Sequence, residues 1–154
     1  MKETIIALYH GYGAGYSAIE ALLYNGFTQD EIGIITRADK ATSIPNLNQI
    51  FTDQLQADGI AMQVTGHYLW LALCLSDEAV TLPTGLLNMG IPPDYATYYL
   101  DTLRQYGMLI ALTIEHDQMK AAIATLRRYN PIDVEHKLAQ LRQVHLHVNA
   151  LTYK

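Results

Sequence analysis

Apolar and polar positions change period several times along this chain. Thr4 to His10 (TIIALYH) is a short apolar, partly β-branched run, and predicts a strand. Gly11, Gly13 and Gly15 break it. From Tyr16 the spacing turns helical, with Ile19, Leu22, Leu23 and Tyr16 on one face and Ser17 as the cap. Asn25-Gly26 ends that helix, since both residues tolerate the left-handed conformation, and Phe27 packs back onto it. Glu31 to Arg37 (EIGIITR) is a second strand. Strand, helix and strand within this short stretch make a βαβ unit, with parallel strands and a right-handed crossover.

Residues 38–58 are polar and contain Pro45, which predicts a loop followed by a short helix around Leu47 to Leu55. Ile60 to Leu75 is apolar and reads as helix. Ser76-Asp77-Glu78 opens a turn, and Pro83 and Gly85 interrupt the next stretch. Asn88 to Pro93 is a loop leading into a helix, because Pro92 and Pro93 suit a helix start where a missing N–H costs nothing. Tyr95, Tyr99, Leu103 and Tyr106 sit on or near one face of it, and Gly107 ends it. Met108 to Ile114 (MLIALTI) is the clearest strand; apolar almost throughout, it belongs at the buried centre of a sheet. His116 and Asp117 start a helix whose apolar face is Met119, Ala122, Ile123 and Leu126, and which Pro131 prevents from continuing. Ile132 to His136 alternates and reads as a last short strand. Residues 137–143 favour helix. Beyond them Val144, Leu146 and Val148 suit a strand, while Leu138, Leu141, Val144, Val148 and Leu151 suit a helix.

The two outer parts assemble as βαβ, insertion, βαβ. Interleaved, they give an α+β fold: a ferredoxin-like βαββαβ sandwich, with a four-stranded antiparallel sheet and two helices on one face. The insertion between strands two and three, about 38–107, is long. It is expected to carry helices of its own, as a helical subdomain or an oligomerisation arm. Residues 1–136 form the single domain and 137–154 a tail segment.

Composition narrows the function classes. Half of the 154 residues are hydrophobic, so the chain folds, but only 16% are charged. So little charged surface predicts a homo-oligomer. A net charge of −5, with no basic run longer than Arg127-Arg128, argues against nucleic acid and anionic membrane as partners. Cys74 is the one cysteine, so no internal disulfide forms. The first ten residues lack an export signature, which points to a cytoplasmic location. Ile60 to Leu75 is shorter than the ~20 residues a membrane span needs.

The candidate chemistry is sparse. Gly11, Gly13 and Gly15, followed by Tyr16 and Ser17, lie between a strand and a helix, where a small anionic ligand such as a nucleotide phosphate would meet free backbone N–H groups. The spacing is neither G-x-G-x-x-G nor a P-loop, and the ordinary reading is a turn with easy positive φ. His145 and His147 would chelate a metal if extended, with His136 and His10 as added ligands; the plainer reading is a polar face. Cys74 and His67 share a helix face, without a third group to make a nucleophile. Glu115-His116-Asp117 reads as helix capping. Eleven tyrosines against two phenylalanines are unusual. Tyr95, Tyr98, Tyr99 and Tyr106 crowd one helix, which suits either packing with hydroxyls at the rim or a subunit contact. No catalytic constellation and no cofactor are expected.

Several of these stretches resemble a known family. Ala18, Ala21, Leu22, Gly26, Phe27, Glu31 and Ile32 stand where the bacterial general stress protein family, the heat-induced group with a 17M-like domain, has its first helix, Gly-Phe and second strand. Leu87 to Pro92, Ala96, Tyr99, Gly107, Met108-Leu109-Ile110, Ala121-Ala122-Ile123 and Leu126 are similar to its later motifs. The chain departs from that pattern at Ile60 to Leu75, which has Gly66 alone where the family is rich in glycine and alanine. The resemblance implies an association with stress response and no established reaction. The expectation is a non-enzymatic stress-associated or regulatory module that self-associates; the alternative is a small-ligand or nucleotide-binding domain using Gly11–Gly15.

Overall fold

A computed structural model describes residues 2–41, 52–57, 59–74 and 81–132. Strands β1 (Lys2–Tyr9), β2 (Ile32–Arg37), β3 (Thr52–Ala57), β4 (Ile60–Thr65) and β5 (Met108–Glu115) form one sheet in the order β1-β5-β2-β4-β3. Every neighbouring pair is antiparallel. β5 pairs with β1 from Lys2↔Glu115 to Tyr9↔Met108, and with β2 from Ile32↔Leu112 to Ile35↔Leu109. β1 and β2 are therefore parallel, with β5 between them, and α1 (Tyr12–Tyr24) joins them. A strand paired on both sides and covered on both faces needs apolar residues at consecutive positions, as MLIALTI supplies.

Helices cover both faces. On one, α1 buries Gly15, Ala18, Ile19 and Leu22, a stripe of helical spacing, and is joined by α6 (Met119–Arg127). Their partners include Tyr9, Ile32, Ile34, Ile110 and Leu112. The buried Tyr9 hydroxyl donates to the Leu126 carbonyl at 2.7 Å and ties β1 to α6. On the other face, α3 (His67–Cys74), α4 (Leu82–Asn88) and α5 (Pro93–Arg104) pack on Leu8, Ile35, Met62, Val64 and Leu109. A four-residue helix, α2 (Ala38–Ala41), follows β2.

Two glycines let α3 land on the sheet. A Cβ at Gly33 would stand 2.5 Å from the Leu69 Cβ. Gly66, between β4 and α3, has φ +107, and a Cβ there would stand 2.7 Å from the Gly33 Cα. Only glycine fits at such a left-handed corner with backbone against it.

The insertion differs from expectation. Thr52–Ala57 and Ile60–Thr65 are strands of a hairpin, not helix, and they extend the sheet to five strands. Ala57 pairs with Ile60 across a two-residue connection, Asp58-Gly59, with Gly59 at φ +87. That is a standard hairpin signal. In β4, Met62 and Val64 point into one core while Ala61 and Gln63 are half-buried, the alternation of a strand. Of the helix expected over Ile60 to Leu75, His67–Cys74 alone is helical among the described residues. Pro83 and Gly85 do not interrupt a stretch but lie within α4, where Pro83 stands at the helix start and Gly85 packs on Leu73. The insertion is thus part of the same body: two strands of the common sheet and the helices of its second face. Two helices on one face, as expected, is corrected to helices on both. The expected last strand, 132–136, lies outside the described residues except Ile132. Its N–H donates to Leu8 of β1, at the edge of the sheet, at 2.7 Å.

Candidate functional site

The glycine run is helical, not a loop. α1 begins at Tyr12, so Gly13 and Gly15 belong to its first turns and Gly11 is the N-cap, extended at φ −131 and ψ 156. None of the three has positive φ. The reason for Gly15 is steric: a Cβ there would stand 2.5 Å from the Met108 Sδ, so its absence lets α1 approach β5. Gly13 has open space around it. Tyr16 stacks on Tyr12, with ring centroids 6.0 Å apart. A hydrogen bond to the Glu20 carboxylate holds the Tyr16 hydroxyl above the ordinary tyrosine range. Ser17 is inside the helix rather than at its cap, and lines a surface cleft of about 470 Å³ with Glu20, Tyr24, Asn25 and Arg128.

One residue earlier the geometry is more suggestive. His10 ends the β1 side of a pocket of about 270 Å³ whose other wall is α5 and the residue after it: Tyr98, Asp101, Thr102 and Gln105. Those four positions follow the i, i+3, i+4, i+7 spacing of one helix stripe. Close packing brings the two walls together. A Cβ at Gly107 would stand 2.6 Å from Thr102 and 2.8 Å from the Tyr9 carbonyl, so the end of α5 sits against the end of β1. Among the described residues, none of the five lining side chains makes a hydrogen bond or ion pair. The sequence carried the stripe, but the pairing with His10 depends on the β1–β5 register and is not readable from spacing.

The expected interface tyrosines separate into three environments. Tyr99 is in the core, where burial first, and Tyr95 second, push its hydroxyl above the ordinary range. Tyr95 and Tyr98 are half-buried against the same core. Tyr106 lies beyond the helix at φ +70, and takes the left-handed place expected of Gly107. The Arg37 guanidinium lies 4.3 Å over its ring, and its hydroxyl donates to Asp39 at 3.3 Å. Arg37 also donates to the Arg104 carbonyl at 2.9 Å, so the end of β2 clamps the end of α5.

The remaining candidates resolve simply. His116 and Asp117 form a 3-10 turn with Gln118, without a side-chain cap bond. The capping reading gives way to a pair between His116 Nδ1 and Glu3 Oε2 at 3.1 Å, because the β1–β5 register brings those ends together. His67 and Cys74 are the first and last residues of α3. His136, His145 and His147 lie outside the described residues. Among the described residues no helix is long and apolar enough to cross a membrane.

Two exposed leucines fall on the helical layer of the second face, while Tyr24 of α1 is 91% exposed. Leu71 of α3 is 50% exposed and Leu87 of α4 is 48% exposed. Neither helix contains Asp, Glu, Lys or Arg. The two pack together, with Asn88 Nδ2 donating to the Leu73 carbonyl at 2.7 Å.

No protein-family model matches the chain, and neither the curated proteins nor the solved structures contain a match.

Proposed function

We propose that this chain is a non-enzymatic, stress-associated or regulatory module that binds a second copy of itself through the helical layer formed by α3, α4 and α5. The observation that carries the reading is the pair of half-exposed leucines, Leu71 and Leu87, on two helices without a charged residue. Each copy carries a net charge of −5, so most faces repel one another at close range. An uncharged apolar face escapes that repulsion and gains from leaving water. The half-buried Tyr95 and Tyr98 belong to the same layer and suit its rim. The finer topology belongs to this reading too. Two interleaved strand–helix–strand halves in the ferredoxin-like manner agree with parallel β1 and β2 flanking β5. The stress association rests on the resemblance alone.

Size-exclusion chromatography with light scattering tests self-association. The wild type should elute as a dimer or larger species, and Leu71→Glu with Leu87→Glu should elute as a monomer with an unchanged far-UV circular dichroism spectrum. A wild type that stays strictly monomeric at high concentration overturns the proposal.

A further inference from the structure

We propose that the pocket between His10 and α5 binds a small neutral hydroxylated molecule, the size of a single sugar ring. Its volume of about 270 Å³ is just under the ~300–1,000 Å³ of ordinary small-molecule pockets, which limits the occupant to one ring. The lining is all polar or amphipathic: an imidazole, a phenol, a carboxylate, a hydroxyl and a carboxamide. That set mixes donors and acceptors, as adjacent hydroxyl groups require. Asp101 and Gln105 lie one helical turn apart, spaced to bridge two neighbouring hydroxyls. Tyr98 is half-buried and offers a ring against which the apolar face of a sugar can lie.

Thr102 supplies the second observation. It is 9% exposed, lines the pocket, and its hydroxyl has no hydrogen-bond partner among the described residues. Its oxygen keeps contact with solvent, unlike the buried and unmatched Thr36 Oγ1, so it is open to pair with a ligand hydroxyl.

Other ligand classes fit less well. An anion would meet the Asp101 carboxylate without any lysine or arginine in the lining. A metal would find one carboxylate and one imidazole, fewer than the three or four protein ligands it takes. An apolar molecule would strip water from five polar groups and return nothing.

The test is a titration of the isotope-labelled full chain, followed by two-dimensional amide NMR. D-glucose and D-ribose are the neutral probes; inorganic phosphate and tetramethylammonium are the charged ones. One of the two sugars should give saturable, millimolar shifts at His10, Tyr98, Thr102 and Gln105. Thr102→Val and Asp101→Asn should each weaken the binding about tenfold. The rest of each variant's spectrum, unmoved, shows that it is folded, and Gln105→Ala at an exposed position gives a third reading. Absence of saturable shifts with either sugar overturns the proposal. So do shifts with phosphate or tetramethylammonium alone, or sugar shifts that persist undiminished in the variants.

Discussion

Replacing Gly66 with alanine should be among the most damaging single-methyl changes in this protein. The backbone there has φ +107, which costs a residue with a Cβ about 1–3 kcal/mol. The new methyl would also stand 2.7 Å from the Gly33 Cα and 2.9 Å from the Ile32 carbonyl oxygen. Both neighbours are backbone of β2, held in the sheet on both sides, so neither can swing away as a side chain would. Overpacking of this kind costs about 1–3 kcal/mol more. The sum, about 2–6 kcal/mol, is a large part of the ~5–15 kcal/mol that holds a typical domain together. At about 2–4 °C per kcal/mol for a chain of this size, the melting temperature should fall by ten degrees or so. Urea unfolding followed by tryptophan fluorescence suits the purpose. The single tryptophan, Trp70, lies on α3, and its backbone N–H donates to the Gly66 carbonyl at 3.0 Å. Gly13→Ala is the control: it has open space and no positive φ, and should gain up to about 1 kcal/mol from helix propensity. A Gly66→Ala midpoint within error of the wild type would falsify the close approach of α3 to the sheet.

Other outcomes follow from the α1–α6 face. Gly15→Ala should lose about 1 kcal/mol in urea unfolding, because overpacking against Met108, about 1–3 kcal/mol, exceeds the ~1 kcal/mol helix gain. The loss should shrink in a Met108→Ala background, and an equal loss in both backgrounds refutes the contact. Tyr9→Phe should cost about 1 kcal/mol for the lost bond to Leu126, read as a lower thermal midpoint; an unchanged midpoint would show the bond adds nothing. Burial pushes the Tyr9 hydroxyl up to about 12. Below the unfolded value of about 10 both states keep the proton, and stability from this group is flat. Between about 10 and 12 only the unfolded chain ionises, so stability falls as pH rises. Tyr9→Phe should flatten that alkaline slope, and identical slopes in the two proteins would remove the argument.

How much was legible in the sequence depended on whether the cause was local. β1, β2 and β5 were readable because their apolar runs are short and bounded by turn residues. α5 was readable from Pro92-Pro93 at its start and the spacing of Ala96, Tyr99 and Leu103. The stretch from Ile60 to Leu75 misled because it is apolar across two different elements. Averaged hydrophobicity hides the alternation around Met62 and Val64, and Gly66 marks the break between strand and helix. Asp58-Gly59 announced the hairpin, but its significance needed both flanking strands to be recognised. The glycines at 11, 13 and 15 suggested a turn since glycine is most often found in one. Gly15 is there for Met108, a residue far along the chain, and no local pattern carries that fact. The same holds for the pocket: His10 and the α5 stripe meet through tertiary register.

The position of β5 has a consequence for how the protein is made. The strand that joins β1 to β2 is among the last elements of the described chain, and its first partner, Lys2, faces Glu115. While the ribosome is still adding the insertion, β1 and β2 have no strand between them, and their apolar edges stay open. Sheets closed by such distant pairings form slowly and leave sticky surface exposed in the meantime. The sheet therefore cannot be completed during synthesis until Met108–Glu115 has emerged to pair with both earlier strands.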